Sequence, residues 1–431
     1  GGFLKKSPLK SPKNFSADVA GMLRGLSGAG HIPGKTSIYL YGGDTMRFLR
    51  FLSISFLCCA LLVPLLFCFV QIKTAALPQT PAPTTPAPGT SAKAMALFDA
   101  TSGTFLAESG ASARLPMAST TKIMTALVVL EECQLDDTFA VPAEAVGVEG
   151  SSVYLFEGEA VSVRTLLYAL LLSSANDAAV ALALHTAGSV PAFAEKMNAK
   201  AAALGLHDTC FQNPHGLPAE GHYTTARELA LIAAAAMKNP VFREIASTTR
   251  YSVPQNGTDA TRLFLNHNRL LRTYNGAVGV KTGFTKESGR CLVGAAERDG
   301  LLLICVTLSD GNDWRDHTAL FDWGFSQYSA FHTDTKPVEM PIVGGAEPSV
   351  SLVPTENIAL TLPAGHGEIT KTVLAPRFLF GSCREGQEVG KIVYRMDGEE
   401  LASVPLVASK TVERAGGKPS LWQKIRALFG R

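Results

Sequence analysis

The sequence predicts an α+β fold in which helices flank an antiparallel sheet, followed by a small all-β domain. Three observations predict it. Ile123, Leu127 and Leu130 fall at helical spacing after Pro116. Two apolar runs, Arg290 to Ala296 and Leu301 to Leu308, flank Asp299-Gly300 and read as a tight hairpin. Beyond Tyr328, strand-like runs such as Val350–Val353, Ile358–Leu362 and Lys391–Tyr394 alternate with Pro and Gly turns.

The 431 residues suffice for two or three domains, at about 100–200 residues each. Thirty-nine Lys+Arg against 37 Asp+Glu leave a net charge of +2, without the one-sided basic excess of a phosphate-binding surface. No nucleic-acid partner is expected. Residues 1–45 do not open on Met and show no clear periodicity, so they are expected to lie outside the native product, which would start at Met46. From Phe51 to Ile72 there are 22 residues without a charge, preceded by Arg47 and Arg50 and followed by small residues at Ala75-Ala76. This is longer than the core of an ordinary cleaved signal and long enough to span a bilayer. Residues 46–76 therefore read as a signal peptide or a retained signal anchor, and both place the remainder on the extracytoplasmic face. Residues 77–91 are Pro/Thr-rich and predict an extended linker.

The exported part divides into a catalytic domain over 92–333, a β-rich domain over 334–415 and a tail helix over 416–431. Within the first, Ala94–Phe98 and the run from Asp99 to Ala107 predict two strands around a turn. Helices are expected over Pro116–Glu132, over Val163–Ala187 with a polar insertion at Ser173-Ser174-Ala175-Asn176-Asp177, and over Thr225–Met237. Of eight cysteines, Cys58, Cys59 and Cys68 lie in the hydrophobic block, which leaves an odd five without a Cys-x-x-Cys spacing. Neither a disulfide framework nor a zinc site is expected, and the hairpin register sets Cys305 opposite Gly294, so it does not pair with Cys291. In the tail, Leu421, Trp422, Ile425, Leu428 and Phe429 share one helical face among Lys424, Arg426 and Arg431. That pattern suits an anionic membrane surface, with packing on the β-domain as the other reading.

The chain contains no Gly-x-Ser-x-Gly, His-Glu-x-x-His, Walker or Gly-x-Gly-x-x-Gly pattern, so three common machineries lose support. A Ser/Lys system remains. Ser119-Thr120-Thr121-Lys122 at a helix start sets a hydroxyl and an amine one turn apart on the same face. A serine hydroxyl needs a neighbouring base, and a desolvated lysine can be neutral enough to serve. Ser7-Pro8-Leu9-Lys10 has the same spacing, so the motif alone is weak. Ser174-Ala175-Asn176 and Lys281-Thr282-Gly283 follow it, the latter on a segment that can form a strand beside the hairpin.

This ordered set, with Leu115–Leu127, Asn213-Pro214-His215-Gly216 and Val280–Thr285, resembles the low-molecular-mass penicillin-binding proteins that are serine D-alanyl-D-alanine carboxypeptidases. The resemblance runs from about Ala94 to Val407. It implies a domain of the penicillin-binding-protein/serine β-lactamase kind. It also implies that Ser119 attacks the carbonyl between two terminal D-alanines of a peptidoglycan stem peptide while Lys122 takes its proton. Ser174 and Asn176 would relay protons and hold the peptide amide; Lys281, Thr282 and Gly283 would position the substrate and its carboxylate. The N–H groups of Ser119 and Phe284 would form the oxyanion hole. β-Lactams would acylate the same serine, and no cofactor or metal is implied.

Ala175 stands where β-lactamases have Asp, and no Glu-x-x-Leu-Asn segment is present, which disfavours a β-lactamase. A non-catalytic penicillin sensor or peptidoglycan binder is the remaining alternative. The family often meets the substrate carboxylate with an arginine after the hairpin; the nearest here is Arg315, in a frame that fits poorly. His215 reads as a turn histidine bracing the loop that frames the cleft.

Overall fold

The computed structural model describes residues 82–255 and 260–416. The hydrophobic block at 51–72 and the tail face at Leu421–Phe429 lie outside the described residues. Where the linker is described, it does not stand free. Thr84 N and Oγ1 donate to Gln327 Oε1 at 2.8 and 2.7 Å, and Trp323 Nε1 donates to the Thr85 carbonyl at 3.1 Å. Ser91 Oγ donates to Asp310 at 2.5 Å. Side chains of a later helix thus take up some of the backbone groups that an extended segment leaves unpaired.

β1 (Ala94–Asp99) and β2 (Thr104–Ser109) form the expected opening hairpin. The helix anticipated from Pro116 starts later. Ala118–Thr121 form one 3-10 turn, and α1 runs Lys122–Glu132. Ala118 sits at φ +48°, a left-handed conformation that breaks any helical path from Pro116. β3 (Thr138–Ala140) and β4 (Ala160–Ser162) pair, and the Ser162 hydroxyl accepts the Thr165 N–H to cap α2 (Val163–Leu172). The single helix expected over 163–187 is two, because Ser174 turns left-handed at φ +59° before α3 (Asn176–Ala187) begins. The Asn176 N–H leaves the helical pattern and donates to the Ser151 carbonyl at 2.7 Å.

α4 (Val190–Ala203), α5 (Ala226–Met237) and α6 (Pro240–Ser247) complete the helical layer, with the Thr225 hydroxyl accepting the Glu228 N–H to cap α5. β5 (Arg250–Pro254), β6 (Thr261–Leu265) and the single turn α7 (Leu270–Thr273) lead to β7 (Ala277–Thr285), β8 (Gly289–Arg298), β9 (Leu301–Leu308) and α8 (Asp313–Gln327). Sequence reasoning did not anticipate α4, α6, β3–β4 or β5–β6. The β8–β9 hairpin has the anticipated register, with Gly294 opposite Cys305 and positive φ at both Asp299 and Gly300.

These strands form an antiparallel sheet in the order β2-β1-β9-β8-β7. Both faces are covered, so β1 is buried at all six positions instead of alternating. Ala94, Ala96 and Phe98 join the helical core on the side of α5, while Met95 and Leu97 meet Leu320 and Phe321 of α8 on the other. β7 closes the sheet as an edge strand against the 3-10 turn.

The chain continues through β10 (Tyr328–His332), β11 (Val338–Val343), β12 (Ser349–Pro354), β13 (Ala359–Pro363), β14 (Ile369–Leu374), β15 (Leu379–Phe380), β16 (Glu388–Met396) and β17 (Glu399–Ala408). β10 pairs with β13, and the rest form a sheet in the order β14-β16-β17-β12-β11-β15. Val350, Leu352, Ile392, Val404 and Leu406 form its separate core. Asp99, fully buried at the end of β1, accepts a hydrogen bond from Thr361 of β13 and so ties the two regions together. Cys133, Cys210, Cys291, Cys305 and Cys383 are free thiols.

Candidate active site

The 3-10 turn, the start of α3, the loop 213–216 and the edge strand β7 converge on one cleft. At their centre is Lys122, the first residue of α1 and fully buried. Its Nζ lies 3.0 Å from Ser119 Oγ, 2.7 Å from Asn176 Oδ1 and 2.7 Å from the His215 carbonyl oxygen. Burial, reinforced by the nearby charge of Lys281, holds its pKa well below the usual lysine value. Lys281 is also buried, donates to the Thr282 carbonyl at 2.9 Å, and is brought by burial to about 7.

The loop that supplies the His215 carbonyl is braced from several directions. Thr125 Oγ1 donates to the Pro214 carbonyl at 2.6 Å, and Asn213 Oδ1 accepts the Gly216 N–H at 2.7 Å. His215 acts as a turn residue, its Nδ1 accepting the Leu217 N–H at 3.2 Å; burial and Lys122 lower its pKa to about 3. His222 Nδ1 accepts the Gln212 N–H at 3.0 Å, which makes its Nε2–H the donor to Thr121 Oγ1, 2.8 Å away. Burial lowers His222 to about 4, so both rings are neutral near pH 7. Gly216 has φ +90°, and a Cβ there would overlap the Ala118 carbonyl oxygen. Only glycine lets this loop close on the 3-10 turn.

Asn176 is committed to the protein at both ends of its carboxamide. Oδ1 accepts from Lys122, and Nδ2 donates to the Glu149 carbonyl at 2.5 Å. The residue expected to hold a substrate amide thus faces Lys122 and the wall of the cleft. Next to it, Asp177 accepts from Ser152 Oγ at 2.6 Å and from the N–H groups of Val153 and Leu155, both at 3.1 Å. That carboxylate holds the loop on which Ser151 lines the cleft.

The cleft holds about 350 Å³ and is lined by Ser119, Ser174, Thr282, Phe284, Arg290 and Trp314, among others. Gly283 also lines it, and a Cβ there would come within 3.1 Å of the Met117 carbonyl oxygen and of the Ser119 nitrogen. The absence of a side chain lets β7 lie directly against Ser119. Arg290 also lines the cleft, a position that sequence reasoning did not anticipate. Its Nε and Nη2 reach Asp313 at 3.0 and 2.8 Å, and its guanidinium stands 5.7 Å over the Trp314 ring. Arg315 is exposed on α8 and is not among the lining residues. The register of the β7–β8 ladder, which sets Arg290 opposite Phe284, is the feature that could have found it. Among the described residues no cluster of His, Cys, Asp and Glu is arranged to hold a metal ion.

Residues 81–312 match the family model for D-alanyl-D-alanine carboxypeptidase, and residues 325–414 match the C-terminal domain of penicillin-binding protein 5. The D-alanyl-D-alanine carboxypeptidase DacF of Bacillus subtilis is 31% identical over 75% of this chain and 87% of its own length. DacC of Escherichia coli is 34% identical over 78% of this chain and 88% of its own. Among solved structures, penicillin-binding protein 5 of Haemophilus influenzae aligns along 100% of its length with 77% of this chain, at TM-score 0.59 and 29% identity.

The contact at Gly216 generates a prediction. Gly216→Ala is expected to cost at least about 2 kcal/mol in urea unfolding, because it adds both a clash and a strained φ. Gly205→Ala, where φ is +74° with open space around the added Cβ, should cost only about 1 kcal/mol.

Proposed function

Because the chain belongs to the D-alanyl-D-alanine carboxypeptidase family, we propose that it removes the terminal D-alanine from peptidoglycan stem peptides through an acyl-enzyme on Ser119, and that penicillin acylates the same oxygen. The supporting observation is the 3.0 Å separation of Ser119 Oγ and Lys122 Nζ with Lys122 fully buried. In the neutral amine, the two N–H bonds point to Asn176 Oδ1 and the His215 carbonyl. The lone pair is then left facing the Ser119 hydroxyl, ready to accept its proton as Oγ attacks the carbonyl carbon between the two D-alanines.

The substrate backbone lies along β7, an unpaired edge, as an added strand. The N–H groups of Ser119 and Phe284 receive the oxyanion. Ser174 passes a proton to the departing D-alanine nitrogen, and water then hydrolyses the ester. Asn176 positions Lys122 for these transfers. Lys281 supplies a positive charge beside Thr282, and Arg290, oriented by Asp313 and Trp314, takes the terminal carboxylate in the role first sought at Arg315. The chemistry uses no cofactor. The substrate places the enzyme on the extracytoplasmic face, with residues 46–76 and the basic amphipathic tail 416–431 keeping it near the membrane. A β-lactamase is not favoured.

The direct test is D-alanine release from a diacyl-Lys-D-Ala-D-Ala peptide, with fluorescent penicillin labelling run in parallel. Ser119→Ala should abolish both; retained labelling would remove Ser119 from the mechanism. The rate of penicillin acylation should be bell-shaped in pH. It falls on the acid side as Lys122 takes up a proton and loses its lone pair, and on the alkaline side as Lys281 loses its charge above about 7. Lys281→Arg should remove the alkaline limb and keep the acid one. Arg290→Ala should lower kcat/KM for the peptide by about 100-fold, as expected for loss of a charge-assisted bidentate contact, whereas Arg315→Ala should leave it within about twofold.

A further inference from the structure

One corner of the β-domain is apolar on its outside. β15 runs parallel to the end of β11, with Ile342 opposite Leu379 and Val343 opposite Phe380. The strand alternation sends Ile342 and Leu379 into the domain core, and sends Val343 and Phe380 outward, where they are 52% and 75% exposed. Phe378, two residues before Phe380, faces the same way and is 40% exposed, with its ring edge-on to Phe380 at 4.8 Å. The pairing is held by the Gly381 N–H donating to the Val343 carbonyl at 2.9 Å, so the three side chains stand on a rigid base.

Two further features share this corner. Arg377, Arg384 and Arg414 form no ion pair among the described residues, while the nearby Glu347 is engaged by Lys410. The Ala415 N–H donates to the Gly344 carbonyl at 2.9 Å, so residue 415, two residues before the tail segment, lies beside Val343. That segment, 417–431, contains Lys418, Lys424, Arg426 and Arg431 with no acidic residue, together with Leu421, Trp422, Ile425, Leu428 and Phe429. A short amphipathic segment binds lipid weakly, and stable anchoring ordinarily takes two contacts.

We propose that Val343, Phe378 and Phe380, with the unpaired arginines around them, form a second contact with a bilayer carrying anionic headgroups. It acts together with the tail and sets the angle at which the domain stands on the membrane. The aromatic rings enter the interfacial layer, and the guanidinium groups meet lipid phosphates. This rests on the reading that the protein works at the extracytoplasmic membrane face.

The test is flotation with vesicles of equal parts phosphatidylglycerol and phosphatidylcholine. It uses residues 76–431, the unit into which the chain divides after Ala75, and the same chain ending at 416, each with and without F378S/F380S. The double substitution should lower partitioning of the longer chain by about tenfold, as expected from losing two interfacial aromatics, and should abolish the residual binding of the shorter one. Neutral vesicles should bind neither well. Unchanged partitioning of the longer chain would overturn the proposal. Increased partitioning would also overturn it, since the patch would then be covering the tail. Penicillin labelling of each variant reports the catalytic site separately, so failure of that reading is distinguishable from failure of this one.

Discussion

The amine of Lys122 is buried among three oxygens, and several local irregularities of the fold bring those oxygens to it. Removing an ammonium from water is costly enough that such a group gives up its proton unless it is well paired. Here two of the oxygens are rigid carbonyls that fix the amine's direction, and the third is the hydroxyl it faces. The left-handed residues Ala118 and Ser174, the interruption between α2 and α3, and the side-chain-free Gly216 all follow from bringing three separate segments within bonding distance of one nitrogen.

The sheet behind the site supplies rigidity. Its inner strands β1 and β9 are buried on both faces and β8 over most of its length, so the strand β7 is paired to a ladder held between two cores. Gly283 then determines how closely that strand approaches the 3-10 turn. The second buried lysine, on β7, acts on the first across the cleft. Burial lowers both amines, and the charge of Lys281 lowers Lys122 further, so Lys122 is the neutral one while Lys281, at about 7, keeps part of its charge. The same strand therefore contributes geometry and electrostatics together.

The second domain shares no core with the first, yet it is not loosely tethered. Asp99 bonds to Thr361, and the Ala364 N–H donates to the Gln327 carbonyl at 2.8 Å. The segment 84–91 lies along α8, so the chain enters the fold beside the helix that leads into the β-domain. Whatever holds the β-domain in place therefore orients the cleft as well.

The motif residues and the hairpin were legible from the sequence because local spacing determines them. Ser119 and Lys122 are one helical turn apart whatever the rest of the chain does, and Asp299-Gly300 imposes the β8–β9 register. Long-range placement was not legible. The apolar spacing over 163–187 is continuous, and only the tertiary demand that Asn176 reach Lys122 and Ser151 breaks the helix there. Arg290 and Arg315 are equally basic in a sequence. Which of them lines the cleft was decided by the antiparallel ladder and by Asp313, a carboxylate 23 residues away that captures one guanidinium and leaves the other in solvent. Side-chain chemistry and short spacings belong to the sequence by itself; which groups meet, and which lose their water in meeting, was settled only when the chain closed on itself.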